Sequence, residues 1–141
     1  MEDIPVADLP LDAMRPHLVE AMLAHVPFDG WGWTALEAAA ADLGVLPAAA
    51  RLAFQGGAID MVDAYARWSD RRMTDALAAV DMAGMKVRAR FETALLTRLL
   101  QAAPHREAER RAVIVLARPQ HLARAARIGW RTADAIWLAM G

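Results

Sequence analysis

The 141 residues are 57% hydrophobic, mostly alanine and leucine, with 6% aromatic residues, no cysteine and a net charge of −1. That length supports one domain with a real core, and the bias towards strong helix formers favours helices over sheets. Disulfides and thiolate metal sites are excluded, and no run approaches the roughly 18 uncharged apolar residues of a membrane-spanning helix.

Residues 1–10 read as a loose lead-in, because Pro5 and Pro10 both interrupt a helix. The segment is acidic and has neither the basic nor the apolar region of a signal, so the cytoplasm is the expected compartment. Leu11 to about His25 is the first predicted helix, with Met14, Leu18 and Met22 along one face. Pro27, Asp29 and Gly30 mark a turn, and Trp31 and Trp33 are expected as packing anchors. Thr34 and Glu37 have the spacing of a capping box. The helix they open runs through four alanines to Gly44, a natural left-handed stop. Pro47 then starts a short helix to about Phe54. Residues 11–57 therefore have the outline of a helix-turn-helix subdomain. A DNA reader would present polar side chains from the second helix. Here Ala48, Ala49, Ala50, Leu52 and Ala53 occupy it, and Arg51 is its one cation. The motif is degenerate, and nucleic acid is not the expected partner.

Residues 58–141 form the expected helical body. After Gly56 and Gly57 a long helix begins near Ile59 and carries Met61, Tyr65, Trp68, Met73, Leu77 and Val80 as an apolar stripe. Asp60, Asp63, Asp70, Arg71 and Asp75 are expected on its other, solvated side. Gly84 lies in a break, and Lys86 to Gln101 is a further helix with Phe91, Leu95 and Leu99 in line and Leu96 and Leu100 beside them. Pro104 opens the next helix, which ends before Pro119. The last begins near Gln120 and carries Leu122, Ile128, Trp130, Ile136, Trp137 and Leu138. With eight methionines in the chain, this apolar set fits either an ordinary core or the adaptable wall of a lipid pocket.

Groups for catalysis do not assemble from the spacing. His17 and His25 are too far apart for one metal site, and His105 with Glu109 is either two ligands without a third or an ordinary helix pair. Ser69 and Thr132 have acids nearby but no evident His partner, and no Gly-rich phosphate loop occurs. The expectation is a protein that is not an enzyme and needs neither cofactor nor metal. Charge is divided unevenly: residues 1–83 sum to −8 and residues 84–141 to +7. Either the halves complement each other within one bundle, or the basic half meets anionic lipid or an acidic partner.

The order of these elements resembles the TetR-type regulator fold. Segments 25–44 (HVPFDGWGWTALEAAAADLG), 85–92 (MKVRARFE), 103–113 (APHREAERRAV) and 130–137 (WRTADAIW) are similar to the ubiquinone (coenzyme Q) biosynthesis lipid-binding family, a TetR-like fold turned from DNA to lipid. The resemblance implies an all-α, TetR-like helical bundle with a degenerate N-terminal helix-turn-helix. It also implies a non-catalytic accessory role: binding an isoprenoid lipid or quinone precursor and presenting it to a membrane-associated hydroxylase. Tyr65, Trp68, Leu95, Leu99 and Trp137 are the pocket walls it suggests. In the family further helices follow the WRTADAIW helix and build a dimer interface and a membrane-touching helix, whereas this sequence ends at Gly141. The expectations are therefore a C-terminally shortened relative, self-association and contact with the inner membrane surface. Two other readings stay open, a TetR-type transcriptional regulator and a ligand-free structural interaction protein.

Overall fold

Every regular element among the described residues of the computed structural model, residues 4–141, is helical. The elements are α1 (Leu11–Met22), α2 (Val26–Asp29), α3 (Trp33–Leu43), α4 (Pro47–Ala53), α5 (Ala58–Ala78), α6 (Val87–Ala102), α7 (Arg106–Leu116) and α8 (Leu122–Ala139). Single 3-10 turns cover Val6–Asp8, Ala103–His105 and Pro119–His121. The chain is thus the all-α bundle its composition favours. Residues 1–3 of the lead-in lie outside the described residues. None of the described helices is long and apolar enough to cross a membrane.

Local chemistry explains most boundaries. Gly44 adopts φ +70°, and the amides of Val45 and Gly44 reach the carbonyls of Ala40 (2.8 Å) and Ala41 (3.2 Å), the paired bonds of a Schellman stop. Two boundaries depart from the sequence reading. The first helix ends at Met22 rather than His25, and the turn around Pro27 is itself one helical turn, α2, closed by Gly30 at φ +76°. A proline in a first turn surrenders an N–H that has no intrahelical partner, so it starts a helix as readily as it interrupts one. The Thr34–Glu37 capping box does not form. The helix begins at Trp33 behind an extended Gly32, which puts Thr34 already inside the first turn.

The main core collects Leu18 and Met22 of α1, Leu36 of α3, Phe54 after α4 and Met61 of α5, all fully buried. α7 closes it from a distance. The buried indole N–H of Trp31 donates to the Ala108 carbonyl at 3.0 Å, and Arg111 donates to the Pro27 carbonyl at 3.2 Å. A smaller core joins Met73 and Leu77 of α5 to Met82, to Ala94 of α6 and to Met140 after α8.

The outer helices are rolled opposite to expectation. Phe91, Leu95, Leu96, Leu99 and Leu100 of α6 are exposed, while Ala94 is buried and Thr93, Thr97, Arg98 and Gln101 lie half-buried. On α8, Ile128 is buried, but Trp130, Trp137 and Leu138 are more than two-thirds exposed. α6 runs back along α5 and α8 runs beside them in the direction of α5, so α6 and α8 are antiparallel. Arg98 and Thr132 meet over Asp70, and Arg90 donates to the Met140 carbonyl at 3.1 Å.

Candidate functional site: a charged seam beneath an outward apolar face

Asp60, Asp63 and Asp70 are spaced three and seven residues apart on α5, which puts them on one stripe of the helix. That stripe faces inward, contrary to the solvated side expected for it: Asp63 and Asp70 are each 7% exposed. Arg124 of α8 donates through Nε to Asp63 (2.8 Å) and through Nη2 to Asp60 (2.9 Å). One turn pair further along, Arg131 donates through Nη2 to Asp63 at 2.6 Å. Asp70 is held from both sides, by Arg98 of α6 and by the Thr132 hydroxyl of α8 (2.9 Å). Burial pushes the Asp63 carboxyl up, but the hydrogen bonds and charges of Arg124 and Arg131 outweigh it and hold the group below the ordinary carboxylate range. This seam dictates the roll of α6 and α8. A buried carboxylate must be paired, so the helix faces carrying Arg98, Arg124, Arg131 and Thr132 turn inward and the leucines and tryptophans turn out.

The charge asymmetry is therefore partly internal. Arg90, Arg98, Arg111, Arg124 and Arg131 of the basic half are engaged by inward partners. The side chains of Lys86, Arg106, Arg118 and Arg127 make no hydrogen bond or ion pair among the described residues.

The five expected pocket residues are not gathered around one cavity. Tyr65 is buried between Trp31 (ring centroids 5.1 Å apart) and Trp68 (5.9 Å), and its hydroxyl donates to Glu109 at 2.6 Å. Burial, reinforced by that carboxylate, raises the phenol well above its ordinary range and keeps it a proton donor. Trp68 is half-buried, with Arg72 over its ring at 4.6 Å and His105 edge-on at 6.0 Å. Leu95, Leu99 and Trp137 stand on the outward face, 39%, 58% and 70% exposed. His105 and Glu109 form no hydrogen bond or ion pair with each other among the described residues; Glu109 accepts from Tyr65, and His105 packs on Trp68. Burial first, and the Arg72 charge second, hold His105 below the ordinary histidine range. Among the described residues, no three His, Asp or Glu side chains converge as metal ligands.

Two hollows remain. One, about 730 Å³, lies between α1, α5 and α8 and includes Trp68 and the charged stripe of α5 in its lining. The other, about 360 Å³, is bounded by Glu20, Leu23, Trp68, Arg72 and His105. On α4, Arg51 is occupied: Nε and Nη2 both donate to Glu37, at 2.9 and 2.5 Å, and the guanidinium lies 5.1 Å from the Trp33 ring centre. The second helix of the motif thus presents Leu46, Pro47, Ala48 and Leu52 to solvent, with its one cation already paired.

Fold and site together define an all-α bundle in which a buried polar seam turns apolar helix faces outward. Compared with protein-family models the chain matches none, and no curated protein matches it.

Proposed function

We propose that this protein is a non-catalytic lipid-binding accessory protein that engages isoprenoid-type lipid through the outward face of α6 and α8. The observation that carries this reading is the exposure of Phe91, Leu95, Leu99, Trp130 and Trp137 on two adjacent helices. Extended apolar surface of this kind marks an interaction site, and lipid gains about 25 cal/mol for each Å² of apolar area it covers. Unpaired cations on the same half, Lys86 and Arg127 among them, suit an anionic membrane surface, where each contributes about 1 kcal/mol. Tryptophan at such a boundary matches its preference for membrane interfaces. The four segments similar to the ubiquinone biosynthesis family supply the pathway: the ligand is a polyprenylated quinone precursor, presented to a membrane-associated hydroxylase. The pairing of Arg51 with Glu37 speaks against the transcriptional-regulator reading, which needs free cations for phosphate.

The experiment is native mass spectrometry of the purified protein for co-purified isoprenoid lipid, alongside flotation with phosphatidylcholine vesicles containing a polyprenyl quinone. The Trp130→Ser/Trp137→Ser double variant should stay folded and lose the lipid. A folded double variant carrying as much lipid as the parent overturns the assignment of this face. A parent that carries none and does not float favours the ligand-free structural reading.

A further inference from the structure

We propose that the hollow between α1, α5 and α8 is a binding site for an oxyanion, a carboxylate or phosphate on a small soluble molecule or on a lipid head group. It shares no residue with the outward face of α6 and α8, so it stands or falls independently of the lipid reading. Its volume, about 730 Å³, is within the roughly 300–1,000 Å³ of small-molecule sites. The acids around it are already answered. Arg124 neutralises Asp60 and Asp63, Arg131 engages Asp63 again, and Arg98 reaches Asp70 from outside the lining. Asp12, at the exposed rim, pairs with Arg15, so a cation entering here meets carboxylates that each already have a guanidinium partner.

Donors, by contrast, are left over. Arg67 and Arg71 lie one helical turn apart on α5 and are both exposed. Arg67 makes a single contact, 3.3 Å from Asp63, and Arg71 makes no hydrogen bond or ion pair among the described residues. Arg131, in the same lining, is committed through Nη2 to the Asp63 carboxylate and carbonyl, so the free donors are those of Arg67 and Arg71. A guanidinium with open N–H positions in a cleft fits planar, multidentate acceptors better than any neutral group. Carboxylate and phosphate are those acceptors, and Trp68 in the same lining offers an apolar wall to whatever carries them.

The test is calorimetric titration with citrate and with inorganic phosphate at ionic strength held constant with NaCl, beside flotation on phosphatidylcholine vesicles with and without phosphatidic acid. Saturable binding of either soluble anion is expected. In Arg67→Gln/Arg71→Gln its Kd should weaken tenfold or more, with the thermal melt unchanged because both side chains are exposed. Binding confined to phosphatidic acid vesicles and lost in Arg67→Gln/Arg71→Gln assigns the site to a head group. Trp130→Ser/Trp137→Ser should bind the soluble anions like the parent, which separates failure of this site from failure of the lipid face. If parent and Arg67→Gln/Arg71→Gln respond alike in every arm, the proposal is wrong.

Discussion

The two sides of α5 are covered by opposite means. On one side α1, α3 and α4 bury Leu18, Leu36 and Phe54 against Met61 and Val62 in an apolar cluster. On the other, beyond the small cluster of Met73, Leu77, Ala94 and Met140, α6 and α8 attach through Arg98, Arg124, Arg131 and Thr132 to the carboxylates of the same helix. Apolar burial contributes about 1.5–3 kcal/mol for each large side chain and specifies little about direction. A buried ion pair gives little net stability, because desolvation offsets attraction, yet it is costly to break from one side. The N-terminal module therefore holds by area, and the C-terminal helices add to a smaller apolar cluster a register set by charge. With α6 and α8 turned by the seam, their leucines and tryptophans stand outward.

The sharpest way to break the comparison is to remove one element from each side. Phe54 is fully buried, and Phe54→Ala should cost about 3–5 kcal/mol in denaturant melts. A loss of under about 1 kcal/mol would contradict a well-packed module there. Asp63→Asn removes the only carboxylate partner of Arg131 and one of the two of Arg124, whose side chains are 29% and 35% exposed. The cost should therefore lie below the 3–5 kcal/mol of a fully buried pair, at about 2–3 kcal/mol.

Acid provides a finer probe of the seam. The folded-state pKa of Asp63 lies below its ordinary value, so its contribution is complete above the unfolded carboxylate range. That contribution is lost as pH falls below about 4 through the lowered folded value. The parent should lose more stability than Asp63→Asn between pH 6 and pH 3. Equal losses in urea melts would show that Asp63 is not held by its arginines.

Smaller effects separate outward from inward positions. Trp130→Ser and Trp137→Ser should each change stability by no more than about 0.5 kcal/mol, whereas placement of either indole in a core would demand several times that. Arg51→Ala removes an exposed pair with Glu37 and should cost at most about 1 kcal/mol by thermal melt. A larger loss would mean that the stack of Arg51 on Trp33 organises the α3–α4 corner.

Much of the fold was legible in the residues alone. Gly44, Pro47, Gly57, Pro104 and Pro119 mark helix boundaries through backbone geometry that is local and independent of neighbours, and the helical bias of the composition carries the all-α class. The blank second helix of the motif was also legible, because it rests on which side chains are absent. The site was not. Periodicity reports that α6 and α8 each have an apolar face, but says nothing of which face meets α5. A faint signal existed in the seven-residue spacing shared by Asp63 and Asp70 and by Arg124 and Arg131, which places each pair on one face of its helix. Its force is conditional, since those side chains lie over sixty residues apart in two pairings, Asp63 with Arg124 and Asp63 with Arg131. Only the tertiary structure brings α8 against α5, and there the cost of leaving a carboxylate unpaired outweighs the gain from turning leucine and tryptophan inward.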